Sequence, residues 1–349
     1  MRCGAFGDIV LLTALIRQLH ARFGQLVDVI ASGPWTVPLL EGQVGVGEIR
    51  FARFRRLPRF LVPEQRELVR WIASRGPGPA WFCDLKVGAD VLHAGGLTPD
   101  HIVDSRKFPF VRGEHFVDRW IRLANLTPPA FEGQLPEATA RVPSTSFIDI
   151  DSDKRTRLDS WLAARRLGDR PMIALQIGSR RTLRRWMPRK KKSSDKYWPE
   201  ERWVDVIRAV RERHPDHAIL LLGAMKEFEM NERIKAAASA VDVHNVADDL
   251  PIPTLLPLLE RARGMISVDT GPAHAAAALG CPTVALFGDA DPDLYRPGGP
   301  HTPAIALLGR SEEPGREGQL DIAGISVANV MDAWETLTGA SKAPASGSG

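Results

Sequence analysis

Cysteine is scarce in this 349-residue sequence, which has only Cys3, Cys83 and Cys281. Their odd number and the lack of any CxxC spacing argue against a disulfide framework or a zinc site, and fit a reducing cytoplasm. No stretch reaches the ~20 apolar residues of a membrane-spanning helix, and the first residues lack the basic, apolar and small-residue regions of a signal peptide. We therefore expect a cytoplasmic protein that is not secreted by that route.

Several motifs of phosphate and metal chemistry are also missing. The sequence has no GxxxxGK[ST] P-loop, no HExxH pair and no DxD pair placed as in a metal-dependent sugar transferase. We therefore expect that neither a metal nor another cofactor is required.

The composition is that of a globular protein, with 44% hydrophobic and 25% charged residues. Because single cores stop growing at roughly 250 to 300 residues, the length indicates two domains. The net charge of +4 hides an uneven distribution, since RRTLRRWMPRKKK at 180–192 contains no acid. This segment indicates an anionic partner.

Strand and helix patterns alternate along the chain, which predicts an α/β fold with parallel sheets. We expect an N-terminal domain over residues 1–150, a second domain over 151–325, and a C-terminal helix with a flexible tail over 326–349. Residues 126–150, rich in Pro, Thr and Ser, are the expected connection. Only Met1 to Cys3 precede the glycine-bearing turn that leads into the first helix, so we expect a short or absent N-terminal strand and suspect a longer native N-terminus. The second, doubly wound domain is predicted from the strands MIALQIG, AILLLG, VDVHNV, GMISVD and PTVALFG.

The segment SVDTGPAHAAAALGCPTVALFG at 267–288 carries the clearest candidate site. A buried strand is predicted to deliver Asp269 and Thr270 to the edge where open α/β sheets bind ligands. Gly271 permits close backbone approach, and the N–H groups of the following helix suit an anion such as phosphate. His274, one helical turn after Thr270, is expected to face the same side. The alternative is that Asp269 or Thr270 only caps the helix.

This segment resembles the signature of the ADP-heptose:lipopolysaccharide heptosyltransferases, glycosyltransferase family nine. Three further segments resemble motifs of that family, namely GAFGDIVLLTAL at 4–15, KYWPEERW at 196–203 and LLGAMKEFE at 221–229. The four motifs stand in the expected order and cover essentially the whole chain. The resemblance implies the GT-B fold, with two Rossmann-like domains facing a central cleft, and an inverting, metal-independent sugar transfer.

Inverting transfer needs a base that takes the proton of the acceptor hydroxyl. The resemblance implies Asp8 as this catalytic base, with Gly7 beside it on the acceptor side; alternatively, Asp8 caps the following helix. Lys196 is the candidate catalytic cation, which would stabilise the leaving diphosphate. Without the motif, Lys196 would be an ordinary exposed lysine. Trp198 and Trp203 are expected to pack and fix the segment that carries Lys196.

The resemblance also implies the donor-binding residues. Glu227 would accept hydrogen bonds from the ribose hydroxyls, although it could instead interact with the dipole of the helix that follows. Asp269 would bind hydroxyls of the donor sugar, and His274 is either near the donor phosphates or structural. The remaining phosphate contacts would come from Ser179, Lys196, Thr270 and Gly271.

Two basic stretches are read in more than one way. Residues 180–195 form an insert longer than expected for the family, which would be a solvated loop, a contact to the membrane or acceptor phosphates, or a nucleic-acid patch. The second stretch would bind acidic sugar carboxylates or lipid phosphates on the acceptor side, or lie in a solvated loop. Its candidate residues are Arg53, Arg55, Arg56 and Arg59.

These expectations combine into one function. A monomer at the cytoplasmic face of the inner membrane would transfer heptose from ADP-heptose to the Kdo-containing inner core of lipid A, with no nucleic-acid partner. One alternative keeps the fold but changes the donor sugar or acceptor, as in a later-core or protein heptosyltransferase. Another is a non-catalytic protein that binds nucleotides or nucleic acid.

Overall fold

A computed structural model describes residues 1–52, 62–84, 88–138, 142–179, 196–298 and 304–339. The chain divides into two compact units, unit 1 spanning Met1–Asp149 and unit 2 spanning Ile150–Gly349. Among the helices of these described ranges, none combines the length and the apolar character that crossing a bilayer requires.

Unit 1 alternates helices with short parallel strands. Strand β1 pairs with β2, and β3 pairs with β4, both in parallel. The elements of this unit are α1 Phe6–Phe23, β1 Val27–Ala31, α2 Thr36–Leu40, β2 Val46–Phe51, α3 Pro63–Arg75, β3 Ala80–Phe82, α4 Ala89–Ala94, β4 Ile102–Asp104 and α5 Phe116–Ala124.

The first three residues connect the two strand pairs. The Arg2 N–H donates to the Ile30 carbonyl at 2.9 Å, and the Cys83 N–H donates to the Met1 carbonyl at 2.8 Å. This segment therefore occupies the place of a strand between β1 and β3, although its pairing with β1 is a single bridge. A cavity of about 580 Å³ beside Met1 is lined by residues of both β1 and β3.

Helix α1 is buried on nearly all sides. Every residue from Ile9 to Ile16 is buried, as for a helix that is apolar all round. It ends at Gly24, which adopts φ 66° and donates its N–H to the His20 carbonyl at 2.8 Å. A left-handed residue at this position favours glycine.

The predicted connection at 126–150 is attached to unit 1 over its last part. The backbone N–H groups of Val142, Phe147 and Asp149 donate to side chains of Gln18, Thr13 and Gln43, respectively, at 3.0, 3.0 and 2.7 Å. Two of these acceptors lie on α1. Residues 142–149 therefore run along unit 1 and are not a free linker.

Unit 2 is built around a parallel sheet with the order β10-β9-β8-β5-β6-β7. Read from β7, this is the 3-2-1-4-5-6 order of the dinucleotide-binding Rossmann fold, and the predicted doubly wound α/β class is confirmed. Its elements are α6 Ser152–Ala164, β5 Met172–Gln176, α7 Glu200–Arg213, β6 Ala218–Leu222, α8 Phe228–Ala238, β7 Val243–Asn245, α9 Ile252–Arg261, β8 Gly264–Val268, α10 Gly271–Ala278, β9 Thr283–Phe287, α11 Pro292–Tyr295, β10 Ala304–Leu308 and α12 Val327–Gly339.

The strands of this sheet are buried because helices cover both faces. Every residue of β5, β6, β8 and β9 is buried, as continuous apolar runs predict for a parallel sheet. The five predicted strands are present, and the structure adds β10 at the edge beside β9.

Helix α12 completes the core of unit 2. Trp334 is fully buried there, and its ring leaves no room for a side chain on Gly264, because a Cβ at that glycine would lie 2.7 Å from Cζ3. The helix that the sequence analysis separated from this domain thus packs on its sheet. Residues 340–349, predicted as a tail, lie outside the described residues.

Candidate active site

The sheet of unit 2 has one point where its connections diverge. From β5 the chain continues toward β6 and β7, whereas from β8 it continues toward β9 and β10 on the other side. The carboxyl ends of two such neighbouring strands form the crevice in which open α/β sheets bind ligands. Residues 177–179 follow β5 there, and residues 269–271 follow β8.

Lys196 and Asp269 form an ion pair at this point. The Lys196 Nζ donates to Asp269 Oδ2 at 2.6 Å and to the carbonyl oxygen of the same residue at 2.7 Å. Their side chains are only 18% and 12% exposed. Both residues were predicted as site residues, but their pairing was not predicted, since they are 73 positions apart.

Helix α10 begins at Gly271, two residues after Asp269. Thr270 precedes the helix in extended conformation, and its hydroxyl contacts the Ser267 hydroxyl at 3.0 Å and makes no cap hydrogen bond to the helix. The alternative that the Thr270 side chain caps the helix is therefore wrong. The Thr270 side chain thus caps none of the first N–H groups of α10, and these lie at the positive end of the helix dipole, which suits an anion.

His274 completes the group around Asp269. Its Nε2 lies 3.6 Å from Asp269 Oδ1, and its buried Nδ1 has no hydrogen-bond partner among the described residues. Burial, the largest influence on Asp269, opposes ionisation of the carboxyl. The His274 imidazole and the Lys196 ammonium outweigh it and lower the pKa of Asp269 to about 2.

Glu227 lies after the neighbouring strand β6 and is buried. Its Oε2 accepts the Ala224 N–H at 2.8 Å, whereas Oε1 has no partner in the described part of the chain. Burial raises the pKa of Glu227, and the hydrogen bond from Ala224 only partly offsets this. A Cβ on Gly178 would lie 2.6 Å from Oε1, so the backbone after β5 approaches this carboxyl closely.

Two polar residues at the same edge were missed by the sequence analysis. Gln176 ends β5 and donates its side-chain amide to the Gly178 carbonyl at 2.9 Å, which holds the backbone after the strand. Ser267 in β8 is fully buried and contacts Thr270. The available signal was a polar residue inside an otherwise apolar strand, which marks a position with a specific hydrogen-bonding task.

The predicted packing of the segment after Lys196 is confirmed. Trp198 and Trp203 are 1% and 0% exposed, and their rings pack edge to face at 5.0 Å. The Trp198 Nε1 donates to the Ile325 carbonyl at 2.9 Å. These contacts fix the chain at Trp198, two residues after Lys196.

Asp8 lies in unit 1, in the first turn of α1. Its Oδ2 accepts the Ala5 N–H at 2.7 Å, and its Oδ1 accepts Arg2 Nη2 at 2.8 Å. The first contact is the return half of a capping box, so the predicted alternative of a helix-capping role is present in the structure. Gly4 has to lack a side chain, because a Cβ there would lie 2.5 Å from Asp8 Cβ.

Comparison with known proteins decides the family. The model of glycosyltransferase family 9 (heptosyltransferase) matches residues 86–321, about two thirds of the chain. The chain belongs to this family.

Relatives of this glycosyltransferase agree in length and fold. Lipopolysaccharide heptosyltransferase 2 of Salmonella typhimurium is 22% identical over 316 residues, which cover 83% of this chain and 82% of the relative. The structure of E. coli ADP-heptose lipopolysaccharide heptosyltransferase II has a TM-score of 0.70 at 19% identity and 98% coverage of both chains. An E. coli heptosyltransferase with ADP has a TM-score of 0.65 at 17% identity, with 96% of this chain and 99% of that chain covered. The predicted GT-B fold is therefore confirmed for this glycosyltransferase.

Of the other predicted site residues of this glycosyltransferase, some lie within the described ranges and some lie outside them. Ser179 is half-buried after β5, in the same carboxyl-end region as Gly178, and Gly7 is buried in α1. The acceptor-side candidates Arg53, Arg55, Arg56 and Arg59 lie outside the described residues, as does the whole basic insert at 180–195. Within the ranges that are described, no three His, Cys, Asp or Glu side chains are grouped to hold a metal ion.

Proposed function

We propose that this glycosyltransferase transfers heptose from ADP-heptose to the Kdo-containing inner core of lipid A, with inversion and without a metal. The observation that carries the proposal is the buried Lys196–Asp269 pair at the start of α10, which the Thr270 side chain does not cap. A cation, a helix N-terminus and a carboxylate together suit a sugar diphosphate. Similar solved structures contain ADP or ADP-2-deoxy-2-fluoro heptose, which supports this donor class.

In this proposal the diphosphate lies at the start of α10. The Lys196 ammonium and the backbone at Thr270 and Gly271 bind the phosphates, with Ser179 and His274 as further contacts. As the leaving diphosphate gains charge, these fixed donors stabilise it without reorganising. The buried His274 Nδ1 has no hydrogen-bond partner among the described residues, and a phosphate oxygen would supply one.

Two carboxylates would bind the remaining parts of the donor. The Glu227 Oε1 lacks a partner among the described residues, and a ribose hydroxyl would supply the hydrogen bond that this buried oxygen does not have. When the Lys196 ammonium binds the phosphate, the Asp269 carboxylate can accept hydrogen bonds from hydroxyls of the heptose.

Asp8 acts as the base in this proposal. Each of its oxygens already accepts one hydrogen bond and retains capacity for a second, so a substrate hydroxyl can approach a fixed carboxylate. The acceptor oxygen would attack the sugar from the face opposite the diphosphate while Asp8 takes its proton. Gly7 and the arginines at 53, 55, 56 and 59 remain the proposed acceptor contacts.

We further propose that the enzyme works as a monomer at the cytoplasmic face of the inner membrane. The basic insert at 180–195 would be attracted to an anionic bilayer by about 1 kcal/mol for each Lys or Arg near the surface. Sedimentation with vesicles containing anionic lipid tests this, and binding that persists unchanged in high salt contradicts it.

Calorimetry with ADP, GDP, UDP and CDP, followed by transfer assays with ADP-heptose on Kdo-lipid A, tests the function. We expect ADP to bind most tightly and transfer to continue in the presence of EDTA. Asp8→Asn should bind ADP normally and lose turnover, and near-normal transfer by that variant contradicts the assignment of the base. Salt-sensitive RNA binding without donor turnover would favour the non-catalytic alternative.

A further inference from the structure

Arg2 holds the Asp8 carboxylate from the interior of unit 1. Its Nη2 donates to Asp8 Oδ1 at 2.8 Å, and Arg2 is only 6% exposed. The contact is a single charge-assisted hydrogen bond, so it holds one carboxylate oxygen, Oδ1, in place.

Arg2 is itself fixed by both strand pairs of the unit. Its backbone N–H donates to the Ile30 carbonyl at 2.9 Å, and its Nη1 donates to the Cys83 carbonyl at 2.9 Å. The guanidinium carbon also lies 5.8 Å from the centre of the Trp120 ring. Because β1, the residue after β3, and α5 all contribute contacts, Nη2 has little freedom to move.

The second oxygen of Asp8 is held from another direction. Oδ2 accepts the Ala5 N–H at 2.7 Å, and Gly4 provides the space for this contact. The two donors together restrain rotation of the carboxyl group, while Asp8 keeps 29% of its side chain exposed. A carboxylate that is fixed and still accessible is what proton acceptance from a bound hydroxyl requires.

No other cation makes a hydrogen bond to Asp8 in the described part of the chain. Arg119 on α5 is buried near Arg2, but its Nη2 donates to the carbonyls of Ser105 and Phe108. Asp84 after β3 accepts the Cys3 N–H through its Oδ2 at 2.9 Å. The contact from Arg2 therefore has no substitute among these groups.

We infer that Arg2 is a positioning residue, which acts on the reaction through Asp8. This inference rests on the proposed function, in which Asp8 is the base. Arg2 makes no contact with substrate in this role; it fixes the carboxylate in the orientation from which one oxygen accepts the proton of the acceptor hydroxyl.

The test compares Arg2→Met and Arg2→Lys with the unaltered enzyme in the transfer assay. For Arg2→Met we expect kcat to fall about 100-fold, since a misplaced catalytic group costs about that factor. The KM for the donor and the Kd for ADP should stay within about twofold, because both depend on unit 2. Arg2→Lys should recover part of the loss, since an ammonium keeps the charge and can donate to Asp8 but lacks the fixed planar geometry of the guanidinium.

A double-mutant cycle separates positioning from a general structural effect. If Arg2 acts through Asp8, adding Arg2→Met to Asp8→Asn should slow the enzyme no further than Asp8→Asn alone. The matched control is Arg17→Met, which removes an ion pair between α1 and Asp149 and should leave kcat within about twofold.

The inference is overturned if folded Arg2→Met keeps its kcat, or if it slows Asp8→Asn by the same factor as it slows the unaltered enzyme. If Arg2→Met does not fold, a full-rate Arg2→Gln enzyme still overturns it, because the shorter, neutral amide cannot keep the charged contact with Asp8. Near-normal turnover by Asp8→Asn alone overturns the proposed base, and this inference with it. A slow Asp8→Asn enzyme with unaffected Arg2 variants overturns this inference only.

Discussion

The Lys196 ammonium is bound to both the carboxylate and the carbonyl oxygen of Asp269, at 2.6 and 2.7 Å. Each group compensates for the burial of the other, because a mostly buried charge without a partner is costly. An incoming phosphate can bind the Lys196 ammonium, and sugar hydroxyls can then donate to the Asp269 carboxylate in its place. The pair therefore holds both groups in place before a donor binds.

Lys196→Met should lower kcat/KM by about 100- to 1000-fold, as expected when one donor to a developing charge is removed. Binding of ADP should also weaken, and calorimetry measures this separately from turnover. Lys196→Arg retains a cation and serves as the control, with a smaller loss. Unchanged ADP affinity in folded Lys196→Met would contradict the phosphate role of this lysine.

The pKa of Asp269 makes the stability of unit 2 depend on pH. The folded value of about 2 lies below the ordinary value of 3.8, so ionised Asp269 stabilises the folded state. This contribution is about 2 kcal/mol. It is present above the unfolded pKa and is lost as the pH falls toward 2.

Urea unfolding at pH 6 and at pH 3 measures this effect. The native protein should lose about 1 kcal/mol more between these values than Asp269→Asn, in which the side chain does not titrate. The comparison concerns the pH dependence of the free energy of unfolding, since the substitution also breaks the pair with Lys196. Equal pH dependence in the two proteins would rule out a strongly lowered pKa.

The sequence predicted the elements of unit 2 well because its strands are long, apolar and bounded by turn residues. It also predicted that Asp269, Thr270 and Glu227 follow strands, which places them at one edge of a parallel sheet. The Lys196–Asp269 pair was not predictable, since it depends on how the segment before α7 folds over β8. Side-chain pairing across 73 residues is set by tertiary packing.

Unit 1 was harder to predict for two physical reasons. Strand β4 has only three residues, too few for an alternating pattern to be distinctive. Met1–Cys3 take the position of a strand beside β1. Only the backbone hydrogen bonds of Arg2 and Cys83 show this. Asp8 was named as the expected base, but nothing local in the sequence indicated that Arg2 would hold it.

Glu227→Gln should stabilise the protein while weakening the binding of ADP. Burial raises the pKa of Glu227, so its contribution to stability is present below the unfolded pKa and is lost as the pH rises through the folded value. The neutral amide removes the cost of a buried charge. We expect the free energy of unfolding at pH 7 to rise by about 1 kcal/mol, within the range of typical substitutions.

The binding side of this prediction is measured with two nucleotides. ADP should bind Glu227→Gln more weakly than it binds the native protein. In contrast, 2′,3′-dideoxy-ADP should bind both proteins about equally, because it lacks the hydroxyls that would donate hydrogen bonds to Glu227. An equal loss of affinity for both nucleotides would show that Glu227 does not contact the ribose.

Gly178→Ala tests the close approach between the backbone after β5 and the Glu227 carboxyl. The new Cβ would lie 2.6 Å from Glu227 Oε1 and 2.6 Å from Met230 Cε, closer than real contacts allow. Both atoms end flexible side chains, so the structure can yield by moving the carboxyl group. We expect a loss of stability of about 1 to 3 kcal/mol, as for other overpacked sites.

The affinity for ADP should fall more than this loss of stability alone explains, because the displaced carboxyl no longer meets the ribose. Calorimetry at a temperature where both proteins are fully folded measures this directly. Gly78→Ala is the matched control, since a Cβ at Gly78 has no atom within 4 Å and its φ is not positive.

A double-mutant cycle tests whether Gly178 acts through Glu227. In the Glu227→Gln protein, Gly178→Ala should cause a smaller further loss of ADP affinity than in the native protein, since the two residues act on one contact. Full additivity of the two losses would mean that Gly178 affects the nucleotide by a route other than Glu227.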